Sequence, residues 1–283
     1  MKEYGGAVRH LPTLTHAQAL LIRQLLHDKK VRLREKAFVL EGMKPCLDLI
    51  HRHPESLLSL IVSPRFLRVE TETDRRVREK LSARQFVCTD DGFQNLTDVE
   101  ASQGILAIVR QPRWDPTRVF SQSRVLGIYG DRLQDPGNVG SIIRTAAALN
   151  LSGVWLSAQS ADPFNPKVVR ATAGAILALP VFQNQDIGTF FTHGCELYSA
   201  LLPSAHAIPI RRIRKVPGRL MIAVGNEGVG LAPDIVRASK VTFSIRLAQE
   251  VESLNVAATV AISAFYFSGL PLDAKVKSSL SNT

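Results

Sequence analysis

Residues 125–150 read VLGIYGDRLQDPGNVGSIIRTAAALN, a stretch that contains a strand, a turn and a helix. Its first part, VLGIYG, is an uninterrupted apolar run of the kind found in fully buried strands. Gly137 and Gly140 allow a tight backbone and Asn138 can cap a helix, so the remainder predicts a helix from Val139 to Asn150. A buried strand followed directly by a helix is the repeating unit of α/β folds.

The same alternation continues toward the carboxyl terminus. The apolar runs GVWLS, ELYSALL, RLMIAVG and VTFSI predict strands, and the intervening residues predict helices from Lys167 to Leu179, Asp234 to Ser239 and about Glu252 to Ser268. Asn165-Pro166 supplies an N-cap followed by proline at the first helical position. Strands separated by helices at this spacing predict a mainly parallel sheet, whose ligand binds outside the carboxyl ends of the strands.

The first part of the chain also mixes helices and strands. Thr15 is a candidate N-cap for the helix HAQALLIRQLLHD, and AFVLEG, LLSLIVS, QFVC and GILAIV predict strands. The basic stretch Lys29 to Lys36 fits either a solvated helix face or a phosphate-facing loop. Residues 111–124 contain two prolines and no sustained apolar period, so they predict a linker. We therefore expect two domains, residues 1–110 and 125–283, joined by residues 111–124.

Composition limits the class of protein. The 283 residues are 45% hydrophobic and 21% charged, which excludes general disorder. A net charge of +10 favours a polyanionic partner such as nucleic acid, with salt-dependent solubility as the alternative. The three cysteines form no C-x-x-C pair, and no apolar run is long enough for a spanning helix. We expect reduced thiols, no metal, no membrane association and a cytoplasmic protein.

Three predicted loops carry polar groups beside glycines. In the first, Asp131 to Thr145, Arg144 shares a helix face with Gly140, so its guanidinium can project past a residue without a side chain; an ordinary turn with a solvent arginine is the alternative. The second, GNEGVG from 225 to 230, places the carboxylate of Glu227 at a strand end. It matches neither the Rossmann fingerprint nor a P-loop.

The third loop, IRLAQEVESLN from 245 to 255, leads from a strand into the last helix. Ser253 and Asn255 are expected in or near the first turn, where exposed N–H groups favour an anion or a carboxylate. Ser253 as a capping residue is the simpler interpretation. A hydrolase nucleophile is disfavoured, because the surroundings of Ser253 are not G-x-S-x-G.

Taken together, NVGSIIRT, GNEGVGL and IRLAQEVESLNVA resemble the three ordered motifs of the SpoU (TrmH-type) branch of the SPOUT RNA methyltransferases. FVLEG at 38–42 and QGILAIV at 103–109 are similar to that family's small ribosomal-protein-like domain. The resemblance implies an α/β fold: a C-terminal SPOUT domain with a deep trefoil knot and a small N-terminal α/β substrate-binding domain. It also implies methyl transfer from S-adenosyl-L-methionine to a ribose 2′-hydroxyl of ribosomal or transfer RNA.

The resemblance assigns roles to particular residues. Its cofactor contacts fall on Gly225, Ile245 and Leu254, and its catalytic arginine corresponds to Arg144. The other polar motif residues are Asn138, Glu227, Ser253 and Asn255. Because guanidinium has a pKa above about 12, we expect Arg144 to clamp an RNA phosphate and orient the 2′-hydroxyl, although the family casts it as a base. Glu227 and Asn255 are expected to hold the loops and Arg144 by hydrogen bonds.

The family also acts as a homodimer whose sites are completed across the interface. The apolar face of the last helix is a candidate for that interface or for the internal core; its residues are Leu254, Ala257, Ala261 and Ala264. The family commonly has proline after the isoleucine of the third motif, whereas this chain has Arg246. Arg246 leaves the geometry of that loop open and can add an RNA contact.

A ribosomal-protein-like first domain favours large-subunit ribosomal RNA over transfer RNA, because such a domain can grip a structured hairpin by shape and backbone. The stretch from Lys29 to Lys36 is our candidate for part of that grip. A catalytically inactive RNA-binding assembly factor is an alternative, against which the intact polar motif residues argue. A dinucleotide-dependent oxidoreductase is a weaker one, since the glycine fingerprint is missing and the net charge is high.

Overall fold

A computed structural model describes residues 11–81 and 84–273, which fall into two compact units. The first unit contains the chain up to Arg113 together with residues 164–177. The second contains Trp114–Pro163 and the chain from Ala178 onward. The segment 164–177, expected in the second domain, is therefore grouped with the first unit.

Short helices and strands alternate through both units. The α-helices are α1 His16–His27, α2 Lys29–Glu35, α3 Met43–Arg52, α4 Pro64–Val69, α5 Glu72–Glu79, α6 Asp90–Gln94, α7 Pro116–Phe120, α8 Pro136–Ala148, α9 Pro166–Thr172, α10 Gly188–Thr192, α11 Pro233–Ala238 and α12 Val256–Ser268. The strands are β1 Ala37–Glu41, β2 Leu57–Val62, β3 Gln85–Val87, β4 Ile105–Arg110, β5 Val125–Gly130, β6 Gly153–Leu156, β7 Val181–Phe182, β8 Glu196–Ala200, β9 Ile208–Pro209, β10 Arg219–Val224 and β11 Val241–Ser244.

The first unit is built on a four-stranded mixed sheet. Its order is β1-β4-β2-β3, with β4 antiparallel to both neighbours and β2 parallel to β3. Helix α1 begins as predicted, because the Thr15 side chain accepts from the Gln18 N–H and the Gln18 side chain accepts from the Thr15 N–H. Ile22, Leu25 and Leu26 on the inner face of α1 are buried in the core of this unit.

Within the basic stretch from Lys29 to Lys36, residues Lys29–Glu35 form helix α2 and Lys36 is its C-cap, which rules out a phosphate-facing loop. Arg32 in its middle is 3% exposed. Its guanidinium donates to the carbonyl oxygens of Leu25 (2.7 Å) and Leu26 (3.3 Å), at the end of the preceding helix. Arg32 therefore holds two helices together and is not available to an external ligand.

Helix α9 confirms the predicted cap and corrects the predicted length. The Asn165 side chain accepts from the Lys167 N–H, and Pro166 is the first helical residue. The helix ends at Thr172 and not at Leu179, because Ala173 (φ 49°) and Gly174 (φ 90°) have left-handed backbones that no α-helix can continue through.

The second unit is built on a seven-stranded sheet in the order β7-β6-β5-β10-β8-β11-β9. Every neighbouring pair is parallel, as the alternation of strands and helices predicts. The VLGIYG run is the inner strand β5, next to the central strand β10, and is buried along its whole length. It pairs with β10 from Val125 opposite Arg219 to Gly130 opposite Val224. The loops leaving β5, β10 and β11 therefore emerge at one edge of this sheet.

Residues 111–124, expected as a linker, contain helix α7. The Asp115 side chain caps it by accepting from the Thr117 N–H at 2.9 Å. Val119 and Phe120 pack into the core of the second unit, where the Phe120 ring is tilted against that of Trp155 at a centroid separation of 5.4 Å. A segment whose sequence shows no helical periodicity therefore still forms a short helix that packs into the core.

The three cysteines are free thiols, as predicted. Burial, reinforced by a neighbouring charge, raises the pKa of Cys88 to about 11, and burial raises that of Cys195 to about 11. Cys46 is fully buried and its pKa is raised further. All three are therefore protonated at neutral pH. Among the described residues, no helix is long and apolar enough to cross a bilayer, and no three potential metal ligands come together.

Candidate active site

Three loops meet at the carboxyl edge of the parallel sheet. The first loop, residues 131–138, follows β5 and enters α8. The second, residues 225–232, follows β10, and the third, residues 245–255, follows β11 and enters α12. These are the segments that the sequence predicts to be functional.

A chain of hydrogen bonds joins all three loops. The Glu227 carboxylate of the second loop accepts from the Asn138 side-chain amide at 3.0 Å and from the backbone N–H groups of Gln134 (3.4 Å) and Asp135 (3.3 Å). The Asn138 side-chain oxygen in turn accepts from the Asn255 side-chain amide of the third loop at 2.8 Å. Glu227, Asn138 and Asn255 thus lie together, and we call them the loop tie.

The charge of Glu227 suits this position. Partial burial pushes the pKa of the carboxyl group upward, but the hydrogen bonds from Asn138 and from backbone amides outweigh burial, so the pKa lies below its ordinary value. Glu227 is therefore ionised at neutral pH. A charged acceptor makes each of these hydrogen bonds stronger than its neutral equivalent.

Asp131 and Arg132 form a second connection between the first and second loops, which no sequence motif predicts. The Arg132 guanidinium donates to the Asp131 carboxylate at 3.0 Å and to the Gly230 carbonyl oxygen at 3.1 Å. The same carboxylate accepts from the Ala232 N–H at 3.0 Å, and the Asn226 side chain donates to the Arg132 carbonyl oxygen at 2.9 Å. The second loop is therefore joined to the first loop near both of its ends, at Asn226 and at Gly230 and Ala232.

The backbone of the second loop itself requires glycine at position 225. A Cβ atom built there would lie 2.5 Å from the Gly230 carbonyl oxygen and closer still to the backbone of Gly230 and Leu231. The second loop folds back on itself, with the Gly230 N–H donating to the Asn226 carbonyl oxygen at 2.9 Å. Glycine was expected to let a ligand approach the strand end, but the loop's own backbone fills that space.

A cavity of about 800 Å³ opens beside the second and third loops. This volume falls within the range of about 300–1,000 Å³ found for small-molecule sites. The cavity contains all three predicted cofactor residues, Gly225, Ile245 and Leu254, and the predicted polar residues Glu227, Ser253 and Asn255. Its other walls come from residues 200–204, the end of β10, the rest of the second loop, Phe243, Leu247, Glu252, Val256 and Thr259.

Arg144 and Asn138 are not among the residues that line this cavity. Arg144 is exposed on α8, the helix that packs against α12. Within the described ranges its side chain forms no hydrogen bond or ion pair, so the expected hydrogen bonds from Glu227 and Asn255 to Arg144 are not formed. Those two residues hold the loops, and the Arg144 guanidinium remains open to an external partner.

The entry to the last helix also differs from the prediction. Helix α12 begins at Val256 and not near Glu252, because Asn255 is its N-cap: the Asn255 side-chain oxygen accepts from the N–H groups of Ala257 (2.8 Å) and Ala258 (3.3 Å). Ser253 precedes the helix, exposed at the cavity wall, and does not cap it. Likewise Asn138 is not the cap of α8, which is Asp135.

Cavities at the carboxyl edge of a parallel sheet bind small molecules, and here the walls are the motif-bearing loops of a strongly basic chain. The class of protein that the fold and the site define is an RNA methyltransferase. The family model of the SpoU rRNA methylases matches residues 126–265, and the chain belongs to this family. It is an enzyme that uses S-adenosylmethionine as its methyl donor.

Relatives agree over different lengths. The 23S rRNA (guanosine(2553)-2′-O)-methyltransferase RlmP of Bacillus subtilis is 30% identical over 247 residues, 86% of this chain and 93% of that protein. An uncharacterised tRNA/rRNA methyltransferase of Synechocystis is 37% identical over 141 residues, so the chain spans 50% of that protein. The structure of an AdoMet-bound rRNA methyltransferase from Sinorhizobium meliloti is 26% identical, with a TM-score of 0.74 over 90% of this chain and 95% of that chain.

Proposed function

We propose that this enzyme methylates a ribose 2′-hydroxyl in large-subunit ribosomal RNA. The observation that carries the proposal is the loop tie: one carboxylate and two amides join three distant segments, two of which line one cavity. The Bacillus relative, similar along nearly its whole length, is named for 2′-O-methylation of 23S rRNA, which supports both the hydroxyl and the RNA.

The cavity walls suit S-adenosylmethionine. Apolar side chains, among them Ile245, Leu247 and Leu254, can enclose a purine ring. Glu227 and Glu252 are among the lining residues and place negative charge near a molecule that carries positive charge, and Ser253 adds a hydroxyl. When bound there, the cofactor supplies a methyl group made electrophilic by a sulfonium. The residues present therefore fit this cofactor.

We assign the RNA phosphate beside the reacting ribose to Arg144. A ribose hydroxyl is a poor nucleophile at neutral pH and must be held in line with the methyl group. Guanidinium is not deprotonated in proteins, but it binds phosphate through two parallel hydrogen bonds. The exposure of Arg144, and its lack of any partner among the described residues, agree with a clamp that acts on RNA.

Replacing Arg144 tests this assignment. Arg144→Lys keeps the positive charge and removes the two-pronged geometry, so we expect weaker RNA binding and slower methylation with unchanged affinity for S-adenosylmethionine. A variant that retains RNA affinity and rate would refute the clamp. Mass-spectrometric mapping of 2′-O-methyl sites in RNA from cells with and without the gene identifies the target; loss of a site in transfer RNA, or no loss, would refute large-subunit methylation.

Within the predicted domains, residues 1–110 are proposed to bind the RNA and residues 125–283 to carry the methyltransferase site; of the predicted linker 111–124, the part from Trp114 onward belongs to the second unit. Of the stretch from Lys29 to Lys36, only the exposed cations can take part, namely Lys29, Lys30, Arg34 and Lys36. Arg34 also pairs with the neighbouring Glu35 at 2.8 Å. Fewer cations are therefore available to bind RNA than the composition of the basic stretch predicts.

We further propose the deep trefoil knot of the family and a cytoplasmic homodimer. The expected interface residues fit poorly, because Ala264 is buried inside the unit and Leu254 precedes the helix and lines the cavity. On α12, Ile262 and Phe265 are instead 43% and 71% exposed. An exposed apolar pair of this size supports an interface centred on Phe265, which sedimentation of the purified protein tests.

A further inference from the structure

A regular burial pattern in the second unit turns a row of cations outward. From the residue before β9 to the segment before β10, every third residue is buried: Ala207, Ile210, Ile213 and Val216. The intervening positions carry Arg211, Arg212, Arg214 and Lys215, all exposed. We call these four residues the basic strip.

The backbone of the basic strip is held in place. Its first part is a 3₁₀ turn from Ile210 to Arg212. The Tyr266 hydroxyl of α12 donates to the Ile213 carbonyl oxygen at 2.8 Å. The Val216 N–H donates to the Pro271 carbonyl oxygen at 3.1 Å, and Val216 accepts from the Asp273 N–H at 2.8 Å. The four cations therefore project from a fixed scaffold, which lowers the entropy lost when they bind a ligand.

None of the four cations forms an ion pair with a carboxylate in the part of the chain that the structure describes. Even Asp273, which the backbone brings beside Val216, makes no such pair with Lys215. Helix α5 differs in this respect, because its Arg75 and Arg76 pair with Glu79 and Glu72. A solvated surface usually mixes both charges, so unpaired cations in a row indicate an anionic partner.

The sheet register brings the basic strip to the cavity. Strand β9 runs parallel to β11 and pairs Ser244 with Pro209 at its end. Both strands end at this pair. Arg211 and Arg246 therefore each lie two residues beyond the last paired residue of their own strand. Ile245 and Leu247, on either side of Arg246, line the cavity. The strip thus begins beside the third loop, and exposed Arg246 extends it there.

We propose that the basic strip, continued by Arg246, binds the phosphates of the RNA strand next to the methylated nucleotide. This inference rests on the proposed function, since it takes RNA as the polymer that enters the cavity. Three of the four cations are arginines, whose planar guanidinium matches phosphate oxygens in pairs. Contacts of this kind position a strand without reading its sequence.

A pair of double variants tests the strip. Arg211→Gln/Arg214→Gln removes two charges from it. Arg237→Gln/Lys240→Gln removes two exposed charges from the same unit, at α11 and at the residue before β11, the end of the sheet opposite the cavity. Affinity for deproteinised large-subunit ribosomal RNA is measured against salt concentration, and S-adenosylmethionine affinity is measured on the same samples.

Log K falls as log salt rises, and each lost phosphate contact reduces the steepness of this fall by about 0.7–0.9. We expect a decrease of about 1.4–1.8 for the strip variant, a slope near that of the wild type for the control, and unchanged cofactor affinity in both. Equal slopes in the two variants would overturn the proposal. If the strip variant loses cofactor affinity, Arg211→Lys/Arg214→Lys replaces it: wild-type KM for RNA would then refute the paired guanidinium contacts. A wild-type enzyme that does not methylate this RNA would refute the proposed function itself.

Discussion

Replacing Gly225 with alanine should abolish the geometry of the second loop while leaving the fold intact. The added Cβ would lie 2.5 Å from the Gly230 carbonyl oxygen, about 0.9 Å short of the 3.4 Å at which ordinary contact begins, and the nearby backbone atoms are closer. These neighbours are backbone, so they cannot rotate away, and the Gly230–Leu231 segment must move. Overpacking of this kind costs about 1–3 kcal/mol.

The cavity wall that moves is the one built from Gly225 to Leu231, so the strain appears in ligand binding. If the loop must return to its original position to bind S-adenosylmethionine, about 1–3 kcal/mol corresponds to a roughly 5- to 150-fold loss of affinity. Calorimetric titration measures this loss, and a thermal melt establishes that the variant is folded. Gly228→Ala is the matched control, because its Cβ would meet only the Asn226 side-chain oxygen at 3.5 Å. A folded Gly225→Ala enzyme that binds as tightly as Gly228→Ala would refute the reasoning.

Two further predictions concern the loop tie. Asn255→Ala removes the cap of α12 and should lower the free energy of unfolding by about 1 kcal/mol. Asn255→Asp keeps the cap but cannot donate to Asn138, so we expect this variant to melt near the wild-type temperature and to methylate RNA more slowly. Equal losses of melting temperature in the two variants would contradict this prediction. Glu227 has a pKa below the ordinary 4.5, so its hydrogen bonds persist above that pH and are lost as the pH falls through the lowered value. The affinity for S-adenosylmethionine should therefore not change above pH 4.5 through titration of Glu227. Glu227→Gln should bind the cofactor weakly and show no fall in affinity as the pH is lowered. A fall in wild-type affinity that occurs above pH 4.5 and is missing from Glu227→Gln would argue against the loop tie.

The strands and three of the residues that line the cavity could be predicted, the strands from local signals and the three residues from the resemblance of their motifs to the SpoU family. The run VLGIYG is buried on both faces in a parallel sheet, so its composition alone predicts β5 with the observed bounds. Gly225 and Ile245 directly follow β10 and β11, Leu254 lies further along the loop that leaves β11, and parallel strands bring their carboxyl ends to one edge. Their convergence on one cavity thus follows from chain order.

Contacts between distant side chains could not be predicted in the same way. The burial of Arg32 depends on the carbonyl groups of an adjoining helix end, and a run of basic residues gives no sign of it. The Asp131–Arg132 connection depends on a backbone that turns left-handed at Arg132, at φ 54°. The caps of α8 and α12 are Asp135 and Asn255, three and two residues away from Asn138 and Ser253, since several polar residues near the start of a helix can each serve as its cap.

The sequence by itself determined the α/β architecture and the parallel sheet, because apolar period and strand-end polarity are written along the chain; the resemblance of its three motifs to the SpoU family pointed to several of the residues that line the cavity. Only the tertiary structure decided that Glu227 ties two loops without touching Arg144, that Gly225 makes room for its own loop, and that the basic strip faces outward beside Arg246. Each of these depends on which atoms meet across a distance of many residues, and that is set by packing and register.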